Sequence, residues 1–153
     1  MAGEKQVHPK INIGLMGHVD HGKTSLVEAL TDKWVAKYSE EMKRGITIRL
    51  GYTDLLVYEC ENCKKLVTSP KCVYCFSDCA LVKKFSLVDA PGHESLIPIV
   101  LSGAALFDAA ILVVAANEPC PQPQTVEHLR ALQIGEVKNI IIIQNKVDLV
   151  TKE

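Results

Sequence analysis

The sequence predicts an α/β fold in which a mostly parallel, twisted sheet carries helices on both faces. Two alternating patterns predict it. Residues 11–16, 84–88, 109–116 and 139–144 are short apolar runs of the kind buried in parallel sheets. Between them, 24–30 places Leu26, Val27 and Leu30 on one helical face, and 125–134 does the same with Val126, Leu129 and Leu132. Strands that alternate with helices stack into layers, because each crossover between parallel strands covers one face of the sheet. The 153 residues fit one domain with a substantial core. Two stretches break the rhythm: 31–49, polar and mixed in charge, and 59–80, rich in cysteine.

Composition limits the function. A hydrophobic fraction of 48% with 23% charged residues describes a soluble globular chain. The net charge of −1 gives no support for broad electrostatic binding to nucleic acid. No apolar run approaches the roughly 20 residues of a membrane span, and the opening MAGEKQVHPK lacks the apolar stretch of a signal peptide. The expectation is a cytoplasmic protein without a membrane partner. In a reducing compartment, six cysteines point to metal ligands rather than disulfides.

The segment GHVDHGKT at 17–24 satisfies the phosphate-loop pattern G-x-x-x-x-G-K-Ser/Thr, directly after the first apolar run and before a helix. Glycines let backbone N–H groups wrap a phosphate chain, and the helix adds its positive end. The fold expectation sharpens to that of a P-loop NTPase. Asp20, His21, Gly22, Lys23, Thr24 and Ser25 are the candidate nucleotide-binding residues of this loop and turn. Lys23 would reach the β- and γ-phosphates and Thr24 would give its hydroxyl to Mg²⁺. Asp20 lies in a loop built for anions, so its carboxylate either points away or recruits a second cation. His18 and His21 are read as shaping the loop, and His8 and His128 as having no site role.

Further segments follow in order. In DAPG, Asp89 can hold a magnesium-bound water and the Gly92 N–H can meet the γ-phosphate. In NKVD, after the run NIIIIQ, Asn145, Lys146 and Asp148 are the base-side candidates. The Asp148 carboxylate can accept from guanine N1–H and the exocyclic amine, which selects GTP as the substrate. RGITI at 44–48 looks like a switch segment ordered by γ-phosphate and Mg²⁺, with Thr47 as the second hydroxyl ligand. Arg44 invites comparison with an arginine finger, but a structural or partner-binding charge is the preferred reading.

Cys60-x-x-Cys63 and Cys72-x-x-Cys75 form two knuckles, each able to place two thiolates on one side of a tetrahedral Zn²⁺. Too few apolar residues separate them to hold a fold, so the metal would supply the ordering free energy. A redox role is the alternative. Cys79 and Cys120 are read as unliganded thiols.

Taken together, GHVDHGKTSL, RGITI, DAPGHE and NKVD resemble the translational GTPases. The resemblance covers nearly the whole chain and implies that His93, next to Gly92, positions the attacking water. More narrowly, SEEMKRGITIRLGY, the four-cysteine insertion and LSGAALFDAAILVVAANEPCPQPQTVEHL are similar to the gamma subunits of archaeal and eukaryotic translation initiation factor two, with an archaeal leaning. That likeness implies alpha and beta subunits as partners, and delivery of initiator methionyl-tRNA to the small ribosomal subunit. It also implies a final strand and helix beyond the last residue. The expected organisation is therefore a GTP-binding domain over 1–153, truncated at its C-terminus, with a zinc-knuckle insertion at 59–80. A nucleotide-gated module with negligible turnover, and a selenocysteine-specific elongation factor, are the alternatives, the cysteine insertion counting against the second.

Overall fold

The computed structural model describes residues 8–32, 47 and 49–151. In chain order they form β1 (Asn12–Met16), α1 (Lys23–Thr31), β2 (Gly51–Cys60), β3 (Leu66–Val67) and β4 (Cys79–Asp89). A 3₁₀ turn (Glu94–Leu96), α2 (Ile97–Ala104), β5 (Ala109–Ala115), α3 (Pro123–Ile134), β6 (Asn139–Asn145) and a second 3₁₀ turn (Val147–Leu149) complete them. Arg44 and its neighbours in RGITI lie outside the described residues, apart from Thr47.

One six-stranded sheet runs in the order β3-β2-β4-β1-β5-β6. β4, β1, β5 and β6 are parallel, while β2 and β3 add an antiparallel edge. The expected α/β class is what forms. β1 lies between β4 and β5, with Leu15 level with both Asp89 and Ile111. This register brings the exit of β1 beside the end of β4, at the carboxyl edge where open α/β sheets bind ligands.

Strand alternation then sorts the core into two layers. Leu15, Leu87, Ile111 and Val113 meet Val27 with Leu26 and Leu30 of α1 on one face. Met16, Val88, Ala110, Leu112 and Val114 meet Val100 and Ala104 of α2 and Ala131 and Leu132 of α3 on the other. Each fully buried leucine or valine here contributes roughly 1.5–3 kcal/mol relative to exposure.

Two elements differ from the sequence expectation. β4 starts at Cys79 rather than Lys84, because antiparallel pairing with β2 continues from Gly51↔Asp89 out to Cys60↔Cys79, across an irregularity between Val57 and Tyr58. The pairing reaches residues that hydrophobicity does not mark. Helix α2 has no counterpart in the sequence reading, since IPIVLSGA is apolar at nearly every position and offers only Ser102 as a polar side chain to mark a solvent face. Packing between the sheet and α3 decides its state.

On α3, His128 and Thr125 turn into the protein and are almost fully buried. His128 Nδ1 accepts the N–H of Gly17 at 2.9 Å, tying α3 to the residue that follows β1. Burial pushes the imidazole pKa from 6.5 down to about 4, and the neighbouring Lys23 and His18 push the same way. A ring harder to protonate when folded means that the unfolded chain binds the extra proton. Its effect on stability is therefore absent above pH 6.5, and stability is lost as pH falls from 6.5 towards 4. We expect His128→Asn to flatten this part of the profile by on the order of 1–3 kcal/mol, read as the pH dependence of the urea midpoint in wild type minus variant.

Candidate nucleotide site and cysteine cluster

The loop between β1 and α1 turns through residues of positive φ: Gly17 at 137°, Asp20 at 60° and Gly22 at 90°. Glycine is needed at both ends. A Cβ at Gly17 would collide with the Val113 carbonyl oxygen, and one at Gly22 with Asn145 Nδ2. Gly22 caps α1 in the left-handed conformation without a side-chain hydrogen bond, so no capping side chain claims the N–H groups of the first turn. The loop and the first turn of α1 border a cleft lined by Val19, Asp20, Gly22, Lys23, Thr24, Ser25, Thr47, Gly92 and His93. A backbone rim of donors at a helix start suits an anion. Gly92 closes the far side: a Cβ there would stand 2.5 Å from Lys23 Nζ and 3.0 Å from the Val19 amide nitrogen.

Lys23 is buried, and its ammonium donates to the carbonyls of Gly17 (2.8 Å) and His18 (2.7 Å). Burial pulls its pKa down to about 8, opposed by Asp89 and Asp20. Thr24 Oγ1 donates to Asp89 Oδ2 at 2.7 Å, and Thr47 Oγ1 stands 3.1 Å from Thr24 Oγ1 and 3.3 Å from the same carboxylate oxygen. Three residues far apart in sequence thus converge as two hydroxyls on one buried carboxylate. Hard oxygen donors around a buried negative charge fit a divalent cation such as Mg²⁺.

Not every loop side chain faces the cleft. His21 is turned beneath the loop, with Nδ1 3.2 Å from the Val113 carbonyl and Nε2 3.3 Å from Glu118 Oε2. His18 lies 5.2 Å from it, ring to ring, and burial together with His21 lowers the His18 pKa. His93 is exposed at the cleft mouth, where its Nδ1 meets Ser95 Oγ at 3.0 Å. Asn145 Nδ2 donates to the His21 carbonyl at 2.9 Å, fastening the end of β6 to the loop. Lys146, with φ of 56°, starts the turn that carries Asp148 into solvent beside it. Val19, Glu118 and His128 were missed by the sequence reading. Val19 is a variable position of the motif. The other two are polar residues of the loop after β5 and of α3, carrying no motif, and only the fold brings them under the phosphate loop.

The cysteines repeat one backbone geometry twice. The Lys64 N–H donates to the Cys60 carbonyl (3.0 Å) and the Cys60 N–H to that of Lys65 (2.9 Å); Phe76 with Cys72, and Cys72 with Ser77, repeat both bonds at 2.9 Å. Lys64 and Phe76 share positive φ, 55° and 59°. The Sγ atoms of Cys60, Cys63, Cys72 and Cys75 all lie within 4.8 Å of one another, at 3.4 Å (Cys60–Cys75), 3.5 Å (Cys63–Cys72) and 3.9 Å (Cys63–Cys75). Tetrahedral zinc with Zn–S of about 2.3 Å needs sulfurs about 3.8 Å apart, so the set fits. The Cys63 N–H pulls the Cys60 thiol below its ordinary value, and Ser77 donors pull Cys75 down to about 6. Against the Lys65 N–H, burial and the neighbouring thiols of Cys60, Cys72 and Cys75 push the Cys63 thiol up to about 12, so the thiols of the cluster differ in acidity. Cys79 stands beside the four, its thiol pushed up to about 11 by burial and the Cys60 sulfur. Cys120 is exposed elsewhere.

No helix among the described residues is long and apolar enough to cross a membrane. The family described as Elongation factor Tu GTP binding domain matches residues 8–153. Among curated proteins, the chain is 56% identical over 99% of its length to translation initiation factor 2 subunit gamma of Pyrococcus abyssi. It is 54% identical over its full length to that of Methanocaldococcus jannaschii, and 58% over 97% to that of Sulfurisphaera tokodaii. It spans 37–38% of those relatives. In fold it is similar to the bacterial selenocysteine-specific elongation factor EF-Sec (TM-score 0.72, 30% identity, 95% of this chain and 21% of that one). It is also similar to elongation factor SelB of Methanococcus maripaludis, a structure in complex with the GTP analogue GppNHp (TM-score 0.62, 32% identity, 95% and 24%). A match over nearly every residue, joined to a phosphate loop set at the carboxyl edge of a parallel sheet, means that this chain belongs to the elongation factor Tu GTP-binding domain family.

Proposed function

We propose that the chain is the GTP-binding domain of a translation initiation factor two gamma subunit, binding GTP with Mg²⁺ and hydrolysing it. The observation that carries the reading is the convergence of Thr24, Thr47 and Asp89 beside a phosphate loop that already has its curvature. Backbone amides of Asp20 to Ser25 would hold the phosphate chain, with the Gly92 N–H approaching the γ-phosphate and Lys23 neutralising charge. Thr24 and Thr47 would bind Mg²⁺ directly and Asp89 through water; the ion supplies charge neutralisation at the phosphates. Asn145, Lys146 and Asp148 would form the guanine side. His93, at the mouth, would orient the attacking water by hydrogen bonding. Asp20, left-handed in the loop and lining the cleft, would recruit a second cation unless its carboxylate points away from the phosphates.

Residues 59–80 form the zinc-knuckle insertion of this reading, and the ion is structural because all four positions are thiolates. The same insertion, with sequence identity of 52–58% to gamma subunits against 30–32% to the selenocysteine factors, disfavours the selenocysteine alternative. Initiator methionyl-tRNA, alpha and beta subunits and the small ribosomal subunit in the cytoplasm are the partners proposed for the whole factor.

Three outcomes test this. Asp148→Asn should weaken GTP roughly 10- to 100-fold and move preference towards xanthosine triphosphate, measured by competition; an unchanged GTP preference would remove the base assignment. His93→Ala should slow single-turnover hydrolysis roughly 100-fold while GTP affinity holds. No measurable hydrolysis in wild type would leave a nucleotide-gated binding module instead. Replacing Cys60 and Cys63 together by serine should abolish bound zinc and disorder the hairpin tip, with GTP affinity largely kept. Lost hydrolysis with an ordered tip would mean that the metal acts at the active site.

A further inference from the structure

His128 is fully buried, lies outside the nucleotide cleft and has no site role in the sequence reading above. Its Nδ1 accepts from Gly17 N–H at 2.9 Å, and the carbonyl of the same Gly17 accepts from Lys23 Nζ at 2.8 Å. The first residue of the phosphate loop is thus held through both of its backbone polar groups, its N–H by α3 and its carbonyl by the loop's own lysine. Accepting at Nδ1 requires a neutral ring with its proton on Nε2. Four residues on, His21 meets Val113 and Glu118 of the same β5-to-α3 stretch. Between these ties stand Val19 and Asp20, which line the cleft. The loop therefore keeps its concave form through contacts within the protein. Binding to a site held in its bound shape avoids the free-energy cost of ordering it.

We propose that His128 is a positioning residue for nucleotide binding, its neutral Nδ1 fixing Gly17 so that the phosphate loop and Lys23 hold their places, and thereby setting how long the nucleotide stays. This rests on the guanine-nucleotide reading of the cleft. The ring touches no phosphate and acts through Gly17 alone.

The test compares two replacements in the full chain, His128→Leu, which cannot accept a hydrogen bond, and His128→Asn, whose carbonyl oxygen can stand where Nδ1 stands. Release of N-methylanthraniloyl-GDP is followed by stopped flow, together with the thermal midpoint and single-turnover hydrolysis. A buried N–H left without an acceptor should make release roughly 10- to 100-fold faster in the leucine variant. The asparagine variant should return to within about threefold of wild type in both release and hydrolysis, at a similarly lowered midpoint. Release rates that follow the thermal midpoint in both variants, with no recovery by asparagine, would overturn the proposal. Should the leucine variant fail to fold, amide exchange at Gly17 in nucleotide-free wild type decides: slow exchange supports the tether and fast exchange overturns it. Wild type that binds no guanine nucleotide would overturn the reading of the cleft and this proposal with it. Normal binding with unaltered release from the leucine variant would overturn this proposal alone.

Discussion

A loop that receives an anion must point its amides at open space, and the surrounding protein has to prevent those amides from finding partners of their own. That constraint organises most of what surrounds residues 17–22. Positive φ at Gly17, Asp20 and Gly22 bends the chain away from helix and strand alike. Val113 crowds Gly17 and Asn145 crowds Gly22, so the two ends of the loop cannot relax outward. Beneath it, His21 Nδ1 and the ammonium of Lys23 stand at backbone carbonyls, and His128 Nδ1 accepts one backbone N–H.

The sheet makes this arrangement possible. Since β1 is central and parallel to both neighbours, its last residues are walled by β4 and β5, and only the direction beyond Met16 remains open. Asp89 arrives there because β4 keeps register with β1, and Asn145 because β6 keeps register with β5. One parallel alignment thus delivers a carboxylate and an amide to the same edge without any contact between the segments that carry them in sequence.

Much of this could be read in advance. GHVDHGKT, DAPG and NKVD are local patterns in which residue type and spacing carry the chemistry, and the paired C-x-x-C motifs likewise announce four sulfurs around one point. The continuous apolar runs and the 3.6-residue patterns placed β1, β5, β6, α1 and α3 to within two residues of their ends. What escaped depends on partners distant in the chain. Helix α2 is uniformly apolar, and β4 is lengthened by β2. His128 reads from sequence as a polar residue with no site role, because its meaning lies in an N–H contributed 111 positions earlier.

The long β2–β4 hairpin has a mechanical side. Gly51 and Asp89 pair at one end, Cys60 and Cys79 at the other, and about nine residues at roughly 3.4 Å each put the two ends about 30 Å apart. Nearly continuous backbone pairing stiffens the hairpin, and the cysteine cluster clasps its tip. Such a rod is a lever arm rooted at the carboxylate that gathers Thr24 and Thr47. A rod of that length would turn a small rotation at its root into a displacement of several ångströms at its tip.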